Sequence, residues 1–365
     1  MKIKRDWVIL FLAFSAISAI FYGYYLVTKF TKLDIVYKNW DGPSYVITAM
    51  SMYNPEVAAA NNFIDSSDIR PDWTFLPAHF PLFPALIRLF SFLGWFQSML
   101  FVSVVFTFLS TIALYELLVV SKVTKHPLIV ALPFILISPR WFAVSHVGNT
   151  ESTFMFFLIM LLIFLYKKKH TSAAIFGTLA VATRPQGVFL GIGLLALAGL
   201  ELYQTRNLRG VVKNYSPYLL LPLTVLGVFM FYKIQTGDFF AFFSAIALTK
   251  NLQWIPFHTF SFPAQNIETF WQEVNAYDYI LYMGAVLYLF KKRLIPFAIL
   301  GLVYFVPLIF LQHSDISRYA IPLLPFAFLA YSEILEKREF TLATFLMSPA
   351  VIMYAINFLD HNHGS

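Results

Sequence analysis

Four ionisable residues interrupt long apolar runs of this chain: Asp41 in "NWDGPSY", Glu151 in "GNTESTFMFF", Arg184 in "VATRPQGVFL" and Arg318 in "HSDISRYAIPLLPF". A carboxylate beside apolar surface can take a proton from a hydroxyl in neutral water. An arginine offers a planar, permanently charged fork suited to phosphate. Two acids and two arginines therefore suggest chemistry on a phosphate-bearing ligand. Each residue also has a plainer reading. Asp41 precedes Gly42 and Pro43 and can be a helix N-cap, with Trp40 seating the loop at an interface and desolvating the carboxylate. Glu151 can be an acid stabilised by a helix N-terminus, with Asn149 and Thr150 as caps. Arg184 can snorkel to headgroups, and Arg318 can pair with Asp315, near His313. Lys250, Lys233 and His258 lie in or beside an aromatic-rich stretch and add to the basic field. His361 and His363 are metal candidates by residue type alone.

The elements that must hold these residues are membrane spans. Of 365 residues 59% are hydrophobic and 12% charged, with 41 phenylalanines, too apolar a balance for a water-soluble globule. A span needs about 20 apolar residues, and such stretches recur throughout. The net charge of +7 sits in short clusters between them, as topology determinants do, so nucleic acid is not an expected partner. No cysteine is present, which removes disulfides and thiolate metal sites. The basic, apolar start is long enough to be an uncleaved anchor.

Taking the basic clusters at Lys2 to Arg5, Lys122 with Lys125, Lys167 to Lys169, Arg206 to Lys213, Lys291 to Arg293 and Lys337 with Arg338 as cytoplasmic requires even numbers of spans between them. Helices at about 7–28, 98–120, 127–139, 151–166, 172–184, 185–202, 216–233, 277–290, 294–311, 318–335 and 340–358 satisfy this. The expected fold is thus a single all-α polytopic bundle of about eleven transmembrane helices, covering 1–365, N-terminus inside. Parity assigns the proline-punctuated segment 79–94 to an interfacial or re-entrant helix. Residues 29–97 and 234–276 become the long outer stretches, and every singled-out polar residue except the terminal histidines falls on or near that outer face. No phosphate loop, HExxH or GxSxG elbow occurs.

"WDGPSY", "HFPLFP", "NTESTFMFF", "TRPQG" and "RYAIPLLPF" follow in that order. Together they resemble the GPI mannosyltransferase II family (PIG-V type), multi-spanning glycosyltransferases of the GT-C class, over about residues 37 to 330. The resemblance implies a polyprenyl-phosphate sugar donor, usually mannose, and Asp41 as catalytic base. Its tryptophan, glutamate and arginines map onto Trp40, Glu151, Arg184 and Arg318, with His79 and Pro81 in the Pro-rich stretch. Arg184, Arg318 and Lys250 are expected on the donor phosphate. Trp40, His79, Glu151, His313 and Tyr319 are expected around donor and acceptor. The shorter, cysteine-free chain argues against a GPI acceptor and for a prokaryotic plasma-membrane relative, with an unknown glycan, lipid or protein as acceptor.

The chemistry is consistent with one base. A departing phosphate is already a stable anion, so the second carboxylic acid that an ordinary glycosidase needs is dispensable, and arginines can meet the growing charge. The expectation is a single inverting displacement at the extracytoplasmic face, with no cofactor and no divalent metal. Two other classes are a transporter or flippase for a lipid-linked or anionic solute, which should carry charges at the midplane on interrupted helices, and a non-catalytic scaffold, which leaves the arginines unexplained.

Overall fold

The computed structural model describes residues 5–28, 33–60, 73–247, 251–261 and 269–361. Among them the chain is helical throughout, its one β-pairing being an isolated bridge between Leu252 and Leu311. Four helices are long and apolar enough to cross a membrane: Arg5–Thr28, Trp95–Ser121, Pro185–Thr205 and Leu208–Thr236. Two bent pairs raise this to six if each is one span. Pro127–Ile135 with Pro139–Ser145 bends by 71°, and Arg338–Leu346 with Ser348–His361 by 42°. Shorter apolar helices, among them Glu151–Tyr166 and Ile295–Leu308, pack beside them.

Departures from the expected helices have local causes. The run 318–335 is not one helix: Pro322 and Pro325 divide it into Ile316–Tyr319, a 3-10 turn at Ile321–Leu323, Leu324–Ala330 and Ser332–Leu335. In the segment 127–139, Pro133 falls in a 3-10 turn, and a new helix starts where Ser138 accepts a hydrogen bond from the Trp141 amide at 3.2 Å, with Pro139 at its first position. The helix expected at 277–290 begins earlier and runs Thr269–Lys291. Residues 79–94 contain only Leu82–Leu89 and a 3-10 turn, Ser91–Leu93. At a rise of about 1.5 Å per residue such a helix spans about 12 Å, well short of a bilayer. Its Arg88 donates to the carbonyls of Ala49 and Met50, completing the C-terminal end of helix Gly42–Ser51.

Near several of the basic clusters, among the described residues, polar contacts tie helix ends together. There Trp7 donates to Glu116, Tyr115 to Asp6 and Thr124 to Glu336, and Lys292 pairs with Glu333. The singled-out acids and arginines gather at the opposite helix ends. A seam of small polar side chains fixes that register. Ser103, Thr107 and Ser110, at i, i+4 and i+7 of helix Trp95–Ser121, bond the Asn149 carbonyl, Ser145 carbonyl and Ser152, so the chain just before and after Glu151 is held against this helix.

Candidate functional site

The loop Lys38–Asp41 follows helix Leu33–Tyr37 and turns sharply into helix Gly42–Ser51. Two features enforce the turn. Trp40 adopts φ +48°, a backbone region that side chains seldom occupy, and a Cβ at Gly42 would lie 2.4 Å from the Tyr37 carbonyl oxygen. Asp41 occupies the N-cap position, yet its side chain makes no capping hydrogen bond. Its carboxylate points elsewhere: Oδ2 accepts from Arg318 Nη2 at 3.0 Å, and Oδ1 lies 3.8 Å from His79 Nε2. Burial would push this carboxyl up, but the Arg318 guanidinium beside it holds it well below the usual carboxylate range.

Glu151 is fully enclosed, and one of its oxygens carries two charges. Oε1 accepts from Arg318 Nε at 2.6 Å and lies 2.8 Å from Arg184 Nη1. Arg184 is therefore not directed to a headgroup; its Nε donates to Gln186 at 3.1 Å. Arg318 also donates to Asn149 Oδ1 at 3.3 Å. The result is a chain of alternating charge, Asp41, Arg318, Glu151, Arg184, drawn from four separate segments. Its openness is graded: the Asp41 side chain is 30% exposed, Arg318 15%, Arg184 10% and Glu151 0%. Asp41 is the most exposed member of the four, and Glu151 stands behind both arginines.

Arg140, which the sequence reading did not single out, completes the surroundings. Its Nε lies 3.0 Å from Asp315 Oδ1, and its guanidinium sits 4.1 Å from the Phe358 ring centre, with Trp271 and Trp40 at 5.3 and 5.9 Å. Asp315 thus pairs with Arg140 rather than with the Arg318 guanidinium; it caps the Arg318 amide instead. Trp40 is placed between the two arginines, 5.4 Å from Arg318, and stacks on Phe358 at 5.2 Å. The signal in the sequence was an arginine outside every basic cluster, next to Pro139 and Trp141.

His313 Nδ1 accepts from the Asp315 amide at 2.8 Å, and its ring meets Tyr319 edge-on at 5.1 Å, so both shape the Arg318 turn. Burial pushes the His313 imidazole down, against the pull of Asp315. Lys233 donates to the Gly237 carbonyl at the end of its own helix. Lys250 and His363 lie outside the described residues. Among the described residues no group of three or more His, Asp or Glu side chains is arranged to hold a metal ion.

Among the described residues the architecture is that of a helical protein with four to six apolar segments long enough to span a membrane and a charged cluster at helix ends. No protein-family model matches the chain, and no curated protein matches it.

Proposed function

We propose that the protein is a membrane glycosyltransferase of the GT-C kind that uses a polyprenyl-phosphate sugar, with mannose the first donor to try. The observation that supports it most is the partly open Asp41 touching an arginine that is itself anchored from behind by an enclosed glutamate. In this reading about eleven helical segments cross the membrane, the N-terminus is inside, and the cluster faces the extracytoplasmic side of a prokaryotic plasma membrane. Residues 29–97 and 234–276 form its outer stretches.

Charge bookkeeping suits the reaction. Asp41, Glu151, Arg184 and Arg318 sum to zero. As the acceptor hydroxyl gives its proton toward Asp41, the acceptor oxygen attacks C1 and the C1–phosphate bond breaks, leaving the phosphate with a second negative charge. Protonation of Asp41 at that moment frees one fork of Arg318 for this new charge. Glu151 keeps both arginines in place and is a positioning residue rather than a sugar ligand. Gathering of these charges at the helix ends, rather than along a midplane pathway, favours this reading over a transporter.

The test is transfer from radiolabelled polyprenyl-phosphate mannose to a panel of acceptor extracts by purified protein in nanodiscs. Asp41→Asn should lower transfer by about 100-fold or more. A wild-type rate in Asp41→Asn removes Asp41 as the base.

A further inference from the structure

Asp41 has a second neighbour that this scheme leaves idle. His79 follows the 3-10 turn Trp73–Ala78 and is 6% exposed. Its backbone carbonyl accepts from two tyrosines, Tyr53 at 2.7 Å and Tyr232 at 2.9 Å, which tie it to the turn after helix Gly42–Ser51 and to helix Leu220–Thr236. Its ring stands edge-on to Tyr45 at 4.6 Å and to Phe75 at 5.3 Å. The imidazole is therefore fixed in position and in orientation.

The orientation also fixes which nitrogen carries the hydrogen. Nδ1 lies 3.3 Å from the Leu76 carbonyl oxygen, which can only accept, so Nδ1 is the donor. In the neutral ring Nε2 is then a bare lone pair, and it faces Asp41 Oδ1 at 3.8 Å. Two acceptors facing each other gain a hydrogen bond only when a proton arrives between them. Proton transfer delivers one: the separation is one that a small rotation of the Asp41 carboxyl can close, as catalytic contacts commonly close when substrate binds.

Resting on the glycosyltransferase reading, we infer that His79 is the proton acceptor behind Asp41: the acceptor hydroxyl's proton passes to Asp41 Oδ1 and on to His79 Nε2. The acceptor oxygen forms its bond to C1, the phosphate leaves with the electron pair of the broken bond, Asp41 returns to its anion, and the imidazolium later releases the proton to water. The arrangement answers a difficulty in the site. Arg318 favours the ionised form of Asp41, so the carboxyl is a poor place to keep a proton, and the His79 Nε2 lone pair 3.8 Å away offers it another acceptor. Among the described residues the charged and titratable groups around His79 are few. Asp41 faces it from the loop, Tyr45 from helix Gly42–Ser51, Tyr53 from the turn just after that helix and Tyr232 from helix Leu220–Thr236, while Arg318 and Glu151 stand beyond Asp41 and Tyr45. Burial keeps the Tyr45 phenol protonated across the working range.

The experiment has two arms, both on the full chain in nanodiscs. In the first, transfer from polyprenyl-phosphate mannose is followed from pH 5 to 9 for wild type, His79→Gln and His79→Asn. Both variants should show kcat down by about 10-fold or more, donor KM within about 3-fold, and a pH profile of kcat that differs in shape from that of wild type. A variant with the wild-type profile and kcat, or one that changes only KM, overturns the relay. The second arm needs neither transfer nor the substituted protein's activity. It is the ¹⁵N spectrum of histidine-labelled wild type at pH 7.5, with His79 assigned from whichever variant is monodisperse. A bare imine nitrogen at Nε2 is expected, and a protonated Nε2 overturns the inference. Should wild type transfer no label from any donor, the enzymatic reading fails, while the spectrum still reports whether Nε2 is free to accept.

Discussion

Glu151→Gln is the substitution whose effect the structure specifies most sharply. The side chain is 0% exposed, and its Oε1 holds Arg318 at 2.6 Å and Arg184 at 2.8 Å. Glutamine keeps the shape and one acceptor oxygen but removes the charge, leaving two enclosed guanidinium groups with Asp41 as their remaining anion. Removing one partner of a buried ion pair costs about 3–5 kcal/mol. The retained hydrogen bond returns about 1 kcal/mol. A net loss of about 2–4 kcal/mol follows, or about 3–5 °C in melting temperature for a chain of this length. The assay is intrinsic-fluorescence melting of purified protein, run alongside Arg184→Gln and the double variant. The double variant restores zero net charge, so it should be more stable than the sum of the single effects by about 1–3 kcal/mol. Melting of Glu151→Gln at the wild-type temperature, or strict additivity of the pair, would refute the claim that this one oxygen anchors both arginines.

Three further outcomes are expected. Asp41 is held below the usual carboxylate range, so its stabilisation is present above an unfolded value of about 3.9 and is lost as the pH falls toward the lower folded value. The melting difference between wild type and Asp41→Asn should therefore be flat from pH 8 to about 5 and shrink below about pH 4; a difference that grows on acidification contradicts the pairing. Arg140→Lys keeps the charge but loses the flat guanidinium 4.1 Å from Phe358, and should lower stability by about 1–2 kcal/mol, a cost that should shrink when the same substitution is made in a Phe358→Leu background. Because the chain has no cysteine, single cysteines report sidedness directly. Trp254→Cys, at a position 97% exposed, should react with an impermeant maleimide on intact cells, and Lys168→Cys only after permeabilisation. Labelling of both from the same side removes the proposed topology.

The helical character of this chain was legible because bilayer-length apolar runs need no partner to announce them, and the helices at Arg5–Thr28, Trp95–Ser121 and Glu151–Tyr166 lie close to where composition and basic clusters put them. Breaks were harder to read. Pro133 and Pro322 sit inside runs apolar enough to look continuous, and a hydropathy pattern does not register a bend. In the site, residue types drew attention to Asp41, Glu151, Arg184 and Arg318, but not to how they pair. Helix-end acids are usually caps, and nothing local to Glu151 shows that an arginine 167 positions away occupies its oxygen. Arg140 was missed for the same reason: its partners Asp315 and Phe358 are distant in sequence. His79 was placed as a ligand contact, because its tautomer depends on a carbonyl three residues back that becomes visible only in the turn.

The alternating chain of charge also dictates an order of assembly during synthesis. Its members leave the ribosome as Asp41, Glu151, Arg184 and finally Arg318, and the last of these is the link that touches both acids. Until residue 318 is made, Glu151 has one of its two arginines and Asp41 has none. A nascent chain halted before that point therefore carries an acid without its arginine, and the cluster closes only when the turn bearing Arg318 is made. The charge network is, on this view, completed in the closing stage of translation rather than helix by helix.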